Sequence, residues 1–261
     1  MAWANGKRYS RQSALVDVLE DISLRPSFWL DLIHPGVGHG LETLVPWKEV
    51  CGNAIDLYQL AEIMAYAVDA KSRFTYRHSH GVAAVSQVSG ETMGLSGDRP
   101  LLLETAGLLH DLGKLTVPES ILEKPGLLTH EEMNWIKQHT YYTYWFLMQA
   151  GFDPAMAEWA AFHHERLDGK GYPFGKSRTD LALEHRIIAV ADIFTAVRED
   201  RPYRPAMDWS GIERVLTSQA RSDGIDGDVV LALLGEKEAL DDLWAELSRR
   251  LAVMDYGTAL V

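Results

Sequence analysis

Residues 101–114 read Leu-Leu-Leu-Glu-Thr-Ala-Gly-Leu-Leu-His-Asp-Leu-Gly-Lys, and the rest of the chain is best read outward from them. The stretch predicts an apolar helix running from about Leu101 through Asp111, ended by Gly113, since glycine commonly closes helices. That helix finishes on an adjacent pair, His110-Asp111. Neighbouring helical residues differ by about 100° in direction, so the two polar side chains bracket one face and can converge on a metal cluster.

Helical spacing continues in both directions. Leu15, Val18, Leu19 and Ile22 fall at i, i+3, i+4, i+7, as do Leu57, Ala61, Met64 and Val68. Thr129 with Glu132, and Ser210 with Glu213, read as capping boxes opening two more helices. Asp153-Pro154 reads as an N-cap followed by a first helical residue. Leu240, Leu243, Leu247 and Leu251 form a last stripe. No useful period-2 segment, repeat or low-complexity tract interrupts this pattern, so the expected fold class is all-α.

The chain has 261 residues, and at ~150 residues per domain that is one large domain or two small ones. Punctuation divides it into a helical N-terminal extension, 1–53, and a main domain, 54–261, whose last part from about 225 supplies closing helices. With 47% hydrophobic and 24% charged residues the composition is globular, which excludes disorder. A net charge of −12 argues against broad nucleic-acid binding, though not against a small phosphate ligand held through metal ions. Cys51 is the sole cysteine and suits a reducing compartment. The basic start lacks a signal peptide's apolar run, and no ~18-residue apolar stretch is present, so a soluble cytoplasmic protein is expected.

The chemistry gathers in the histidines. Besides His110-Asp111 there is a second adjacent pair, His163-His164, expected on the helix opened by Asp153. His78 follows an apolar helix, His139 lies inside one, and Asp192 sits in the apolar run Ile187–Phe194. Imidazoles and carboxylates supplied by separate helices are how di-metal sites are built in bundles, and such mixed ligands suit first-row metals. Burying so many polar groups without partners costs several kcal/mol each, roughly. His34, His39, His80, His130 and His185 stand among polar or loop-like neighbours and are read as ordinary.

His78-Ser79, His110-Asp111-Leu-Gly-Lys114, Lys137-Gln-His139, His163-His-Glu-Arg-Leu-Asp-Gly-Lys-Gly-Tyr-Pro173 and Ala191-Asp192 together resemble the HD-GYP family of metal-dependent phosphohydrolases over about residues 65–235. The resemblance implies an HD-type helical bundle that hydrolyses cyclic di-GMP to a linear dinucleotide or GMP, using a hydroxide activated by two metals. It implies His78, His110, Asp111, His139, His163, His164 and Asp192 as metal ligands, with Asp111 bridging. The metals it implies are two divalent transition ions, iron or manganese first, zinc or nickel next. Asp111 and Lys114 carry catalysis in this scheme. Lys114, Arg201 and Arg204 hold phosphates and guanine, and Gly171, Tyr172 and Pro173 shape a loop beside the site. That loop is also a proposed contact for diguanylate cyclase (GGDEF) domains.

Some positions depart from the family pattern. Thr195 stands where an Asp is common, Gly81 where an Arg is frequent, and Thr140 and Thr143 where Pro and Gly often follow the mid-domain histidine. Phe74 takes the place of a Glu that completes a third metal site in some members, which leaves two metals expected. Two rival readings stay open: hydrolysis of another cyclic dinucleotide such as cyclic GMP-AMP, and a non-catalytic protein that senses the nucleotide or docks a cyclase.

Overall fold

A computed structural model describes residues 54–71, 76–200 and 205–258, all within the unit Cys51–Val261. The extension 1–53, Phe74, Arg201 and Arg204 lie outside the described residues. In order come α1 (Ala54–Lys71), α2 (Tyr76–Thr92), α3 (Arg99–Leu109), a 3-10 turn (Leu112–Thr116), α4 (Glu119–Leu122), α5 (His130–Gln149), α6 (Pro154–Ala161), α7 (Leu183–Arg198), α8 (Trp209–Arg221), α9 (Gly227–Gly235) and α10 (Lys237–Thr258). No strand occurs among the described residues, as the helical spacing predicts.

Local chemistry explains most boundaries. The Thr129 hydroxyl accepts from Glu132 N at 3.2 Å and the Glu132 carboxylate accepts from Thr129 N at 2.8 Å, a complete capping box. Asp153 accepts from Ala155 N and Met156 N ahead of Pro154. The start of α8 differs from the expected Ser210–Glu213 box: its N-cap is Asp208, which accepts from Gly211 N at 2.8 Å. A carboxylate two residues earlier reaches the free amides first, and the Ser210 hydroxyl turns back onto it.

The centre of the bundle is α2, packed on α3 and α7, with α1 against α3 and α5 against the 3-10 turn. Leu103, Leu108, Leu109, Leu147, Ile187, Ile188 and Phe194 are fully buried there. Each such side chain stabilises the fold by roughly 1.5–3 kcal/mol, enough to hold a polar cluster in the same interior.

Two placements differ from the sequence reading. Helix α3 ends at Leu109, so His110 and Asp111 leave it and enter the 3-10 turn. Gly113 is therefore inside that turn and caps nothing; it is there because a Cβ would lie 1.9 Å from the His139 carbonyl oxygen. His163 and His164 likewise follow the end of α6 at Ala161 instead of lying within it, because the chain turns back after Phe162 with Glu165 N donating to its carbonyl. His78 follows α1, as expected, and sits in the first turn of α2. In each case a turn or helix end aims side chains that a straight helix would fan apart.

Candidate metal centre

Each of the three most deeply placed imidazoles has its tautomer set by the backbone behind it. Nδ1 of His110 lies 2.7 Å from the Gly107 carbonyl, Nδ1 of His139 2.6 Å from Ile136 O, and Nδ1 of His163 2.8 Å from Ala160 O. A carbonyl only accepts, so each Nδ1 carries the proton and each Nε2 of a neutral ring presents a lone pair. Those lone pairs face one another: His139 Nε2 is 3.2 Å from His163 Nε2. Both rings are held neutral. Burial, aided by Lys114 and His164 against the pull of Asp111, takes His139 down to about 3, and burial with the neighbouring histidines holds His163 well below its usual range. Two buried acceptors at that distance repel unless a cation lies between them.

The carboxylates complete the donor set. Asp111 turns Oδ1 to His139 Nε2 at 3.3 Å and Oδ2 to His110 Nε2 at 3.2 Å. Asp192 meets His78 Nε2 at 3.0 Å and, with its other oxygen, His164 Nδ1 at 3.9 Å. Burial opposes the ionised Asp111, but His110 and Lys114 outweigh it and hold the carboxyl well below the usual carboxylate range. Burial also opposes a charged His78, yet Asp192 and Glu199 together raise it to about 10. Positive charge is what this corner of the site calls for.

Donor atoms converge within 4.8 Å in three groups: His139, His163 and His164; His78, His110 and Asp192; and His110, Asp111 and His163. All seven residues expected as ligands are thus brought together from α2, α5, α7 and the two turns. The mixed N/O donor set fits first-row transition ions.

The cluster meets solvent at His164 and Lys114, whose side chains are 33% and 23% exposed. Lys114 Nζ lies 2.5 Å from Asp111 Oδ2. The ring of Tyr172 covers His164 at 4.9 Å, with Lys137 Nζ 5.3 Å from its centre. The turn carrying Tyr172 requires Gly171, where a Cβ would fall 2.4 Å from Glu165 Cα and 2.6 Å from His164 O. Buried Glu165 anchors the far side, accepting from Phe174 N at 2.6 Å and Lys176 N at 2.9 Å. Tyr172 and Gly171 therefore border the histidine cluster at His164.

Sequence reasoning missed four contributors. Glu199 lies 3.4 Å from His78 Nδ1; its signal was the seven-residue step from Asp192, which puts both on one face of α7. Glu165 was quoted in the motif without a role. Thr143 donates to His110 O at 3.0 Å and accepts from Gly113 N at 2.9 Å, tying α5 to the His-Asp turn. His185, read as ordinary, is buried and stacks on Phe162 at 5.4 Å, because it faces inward from the first turn of α7.

Fold and site together define a helical domain built around a buried His-Asp cluster that could hold metal ions. The chain belongs to the HD domain family, which residues 62–229 match, and to its HD-GYP branch. Among curated relatives, 3'3'-cGAMP-specific phosphodiesterase 1 of Vibrio cholerae is 35% identical over 218 residues, 82% of this chain and 50% of its own length. The cyclic di-GMP phosphodiesterase response regulator RpfG of Xanthomonas campestris is 38% identical over 194 residues, 74% of this chain and 50% of its own. The chain thus spans about half the length of the curated relatives it matches. Among solved structures, an HDG"Y"P protein from Bdellovibrio bacteriovorus shares the fold at a TM-score of 0.52 and 16% identity, over 74% of this chain and 67% of that one. The HD domain of the L. monocytogenes phosphodiesterase PgpH does so at 0.51 and 19%, over 72% and 98%.

Proposed function

We propose that this chain is a metal-dependent phosphodiesterase that opens a cyclic dinucleotide, with cyclic di-GMP as substrate and a linear dinucleotide or GMP as product. The observation that carries the reading is the pair of facing Nε2 lone pairs of His139 and His163 beside Asp111, an arrangement that needs a cation. His139, His163 and His164 with Asp111 Oδ1 form one donor set, and His78, His110 and Asp192 with Asp111 Oδ2 a second. These two sets, sharing Asp111, would hold two divalent transition ions, iron or manganese first and zinc or nickel next, which when bound would supply charge neutralisation for the phosphate and an activated water.

The chain's own residues do the rest. Lys114, at the mouth and next to Asp111, offers its ammonium where negative charge grows on the phosphorus oxygens. Tyr172 roofs His164 and narrows the entrance for a flat base. Arg201 and Arg204 are assigned to the outer phosphate and guanine, following the family pattern. Residues 54–261 form the catalytic domain in this reading, and 1–53 an extension to it. Cytoplasmic action belongs to the same reading, since the lone Cys51 suits a reducing compartment, and no described helix is long and apolar enough to cross a membrane. The Gly-Tyr-Pro loop is the proposed contact for a diguanylate cyclase domain.

Cyclic GMP-AMP is the second substrate reading, favoured by the similarity to the Vibrio cholerae enzyme named for it. Anaerobic purification, elemental analysis and a panel of both dinucleotides test the proposal. Two metals per chain and faster turnover of cyclic di-GMP are expected. Metal-loaded protein that hydrolyses neither compound overturns it, and three full metal sites overturn the two-cation assignment.

A further inference from the structure

His78 is oriented differently from the other buried imidazoles. His110, His139 and His163 each lean Nδ1 on the carbonyl three residues earlier. His78 stands in the first turn of α2, and its Nδ1 instead faces Glu199 Oε2 at 3.4 Å, while Nε2 points to Asp192 at 3.0 Å. Glu199 is 6% exposed and is the C-cap residue of α7, its N–H donating to Thr195 O at 3.1 Å. Its neighbour Arg198 pins that helix end. The Arg198 guanidinium lies 5.8, 5.0 and 5.5 Å from the rings of Phe194, Trp209 and Trp244 and bonds Asp241. One helix, α7, therefore presents a carboxylate to each nitrogen of the same imidazole.

From this geometry we infer that Glu199 is a positioning residue for the metal centre: it accepts a hydrogen bond from the Nδ1–H of His78, keeping the proton on that nitrogen, and so directs the Nε2 lone pair at the cation. This rests on the metal-centre reading above. A carboxylate behind a ligand imidazole fixes its tautomer and, unlike a carbonyl, strengthens it as a donor. Unlike His110, His139 and His163, His78 then owes its donor strength to a side chain rather than to the backbone, so a single substitution can retune it.

The test uses the full chain, with Glu199→Gln and Glu199→Ala. Mn2+ affinity is measured calorimetrically, and the His78 ring nitrogens are followed by 15N NMR in the zinc-loaded, histidine-labelled protein. Loss of an outer-shell partner costs about 10–100-fold in affinity, so E199Q is expected near the lower figure and E199A near the upper. The Gln carbonyl still accepts the Nδ1 proton, so E199Q keeps the His78 tautomer and E199A loses it. E199Q is isosteric and keeps the test decisive if E199A fails to fold. Unchanged Mn2+ affinity in E199Q, or an unchanged His78 tautomer in E199A, while the unsubstituted protein binds Mn2+, overturns the role of Glu199 alone. No metal uptake by the unsubstituted protein overturns the metal-centre reading and this inference with it.

Discussion

Gly113 and the carbonyl of His139 are in direct backbone contact: a Cβ on Gly113 would stand 1.9 Å from that oxygen and 2.8 Å from Thr143 N. The turn that carries Asp111 and Lys114 is thereby pressed onto α5 beside its own histidine. Neither neighbour is a side chain that can rotate away. Gly113→Ala must move α5 relative to the turn, and is expected to cost about 3 kcal/mol or more in urea unfolding, at the upper end for overpacking. A variant as stable as the unsubstituted protein would show that the contact is not close in solution.

Asp111 divides its oxygens between two imidazoles on different elements, His139 Oδ1-side and His110 Oδ2-side. Asp111→Asn keeps the shape and removes the charge. Metal content should fall and hydrolysis should drop by more than the about 10–100-fold typical of losing an outer-shell partner. His110→Ala should behave likewise, with the helical circular dichroism signal largely kept. Normal metal content in either variant contradicts the assignment.

Lys114 and Arg204 have separate tasks under the proposed mechanism. Lys114→Ala should lower kcat by about 10²–10³, the usual cost of a lost donor to developing charge, with little change in KM. Arg204→Ala should raise KM more than it lowers kcat, since the arginine is assigned to holding substrate. Matching kinetic patterns in the two variants would refute that division.

His185 supplies a pH test away from the metal centre. Burial lowers its pKa from 6.5 to about 4, against the opposing pull of Glu184. Between those values the unfolded chain binds more protons, so the stability that His185 contributes is full above pH 6.5 and is lost as pH falls toward 4. From pH 7 to 4.5 the loss is about 2–3 kcal/mol, and His185→Phe, which preserves the stack on Phe162, should remove that share. Urea melts at the two pH values measure it; equal losses in both proteins would show that His185 is solvated.

Much was legible in the sequence because local signals are one-dimensional. Helical spacing, the Thr129–Glu132 box and the Asp153-Pro154 start each depend on residues within one turn of one another, and the structure bears them out. The candidate ligands were legible for a related reason: adjacent His-Asp and His-His pairs in apolar surroundings are chemically conspicuous. Where the pairs sit on their helices was not. Asp208, two residues earlier, capped α8 in place of Ser210, and α3 ended before His110, where the following turn is pressed onto α5.

The two departures Gly81 and Thr195 make the limit plain. In the sequence they are two separate departures from the family pattern, whereas in the fold a Cβ on Gly81 would lie 2.7 Å from the Thr195 methyl and 3.2 Å from the Trp244 ring. They are two sides of one packed contact between α2 and α7, closed by a residue of α10. Sequence alone determined the all-α class, the family and the candidate His and Asp ligands, since those follow from residue type and spacing along the chain. Only the tertiary structure decided which nitrogen of each histidine faces the cluster, that Asp111 splits its oxygens, and that Glu199 stands behind His78, because these depend on contacts between residues dozens of positions apart, whose distances no spacing along the chain records.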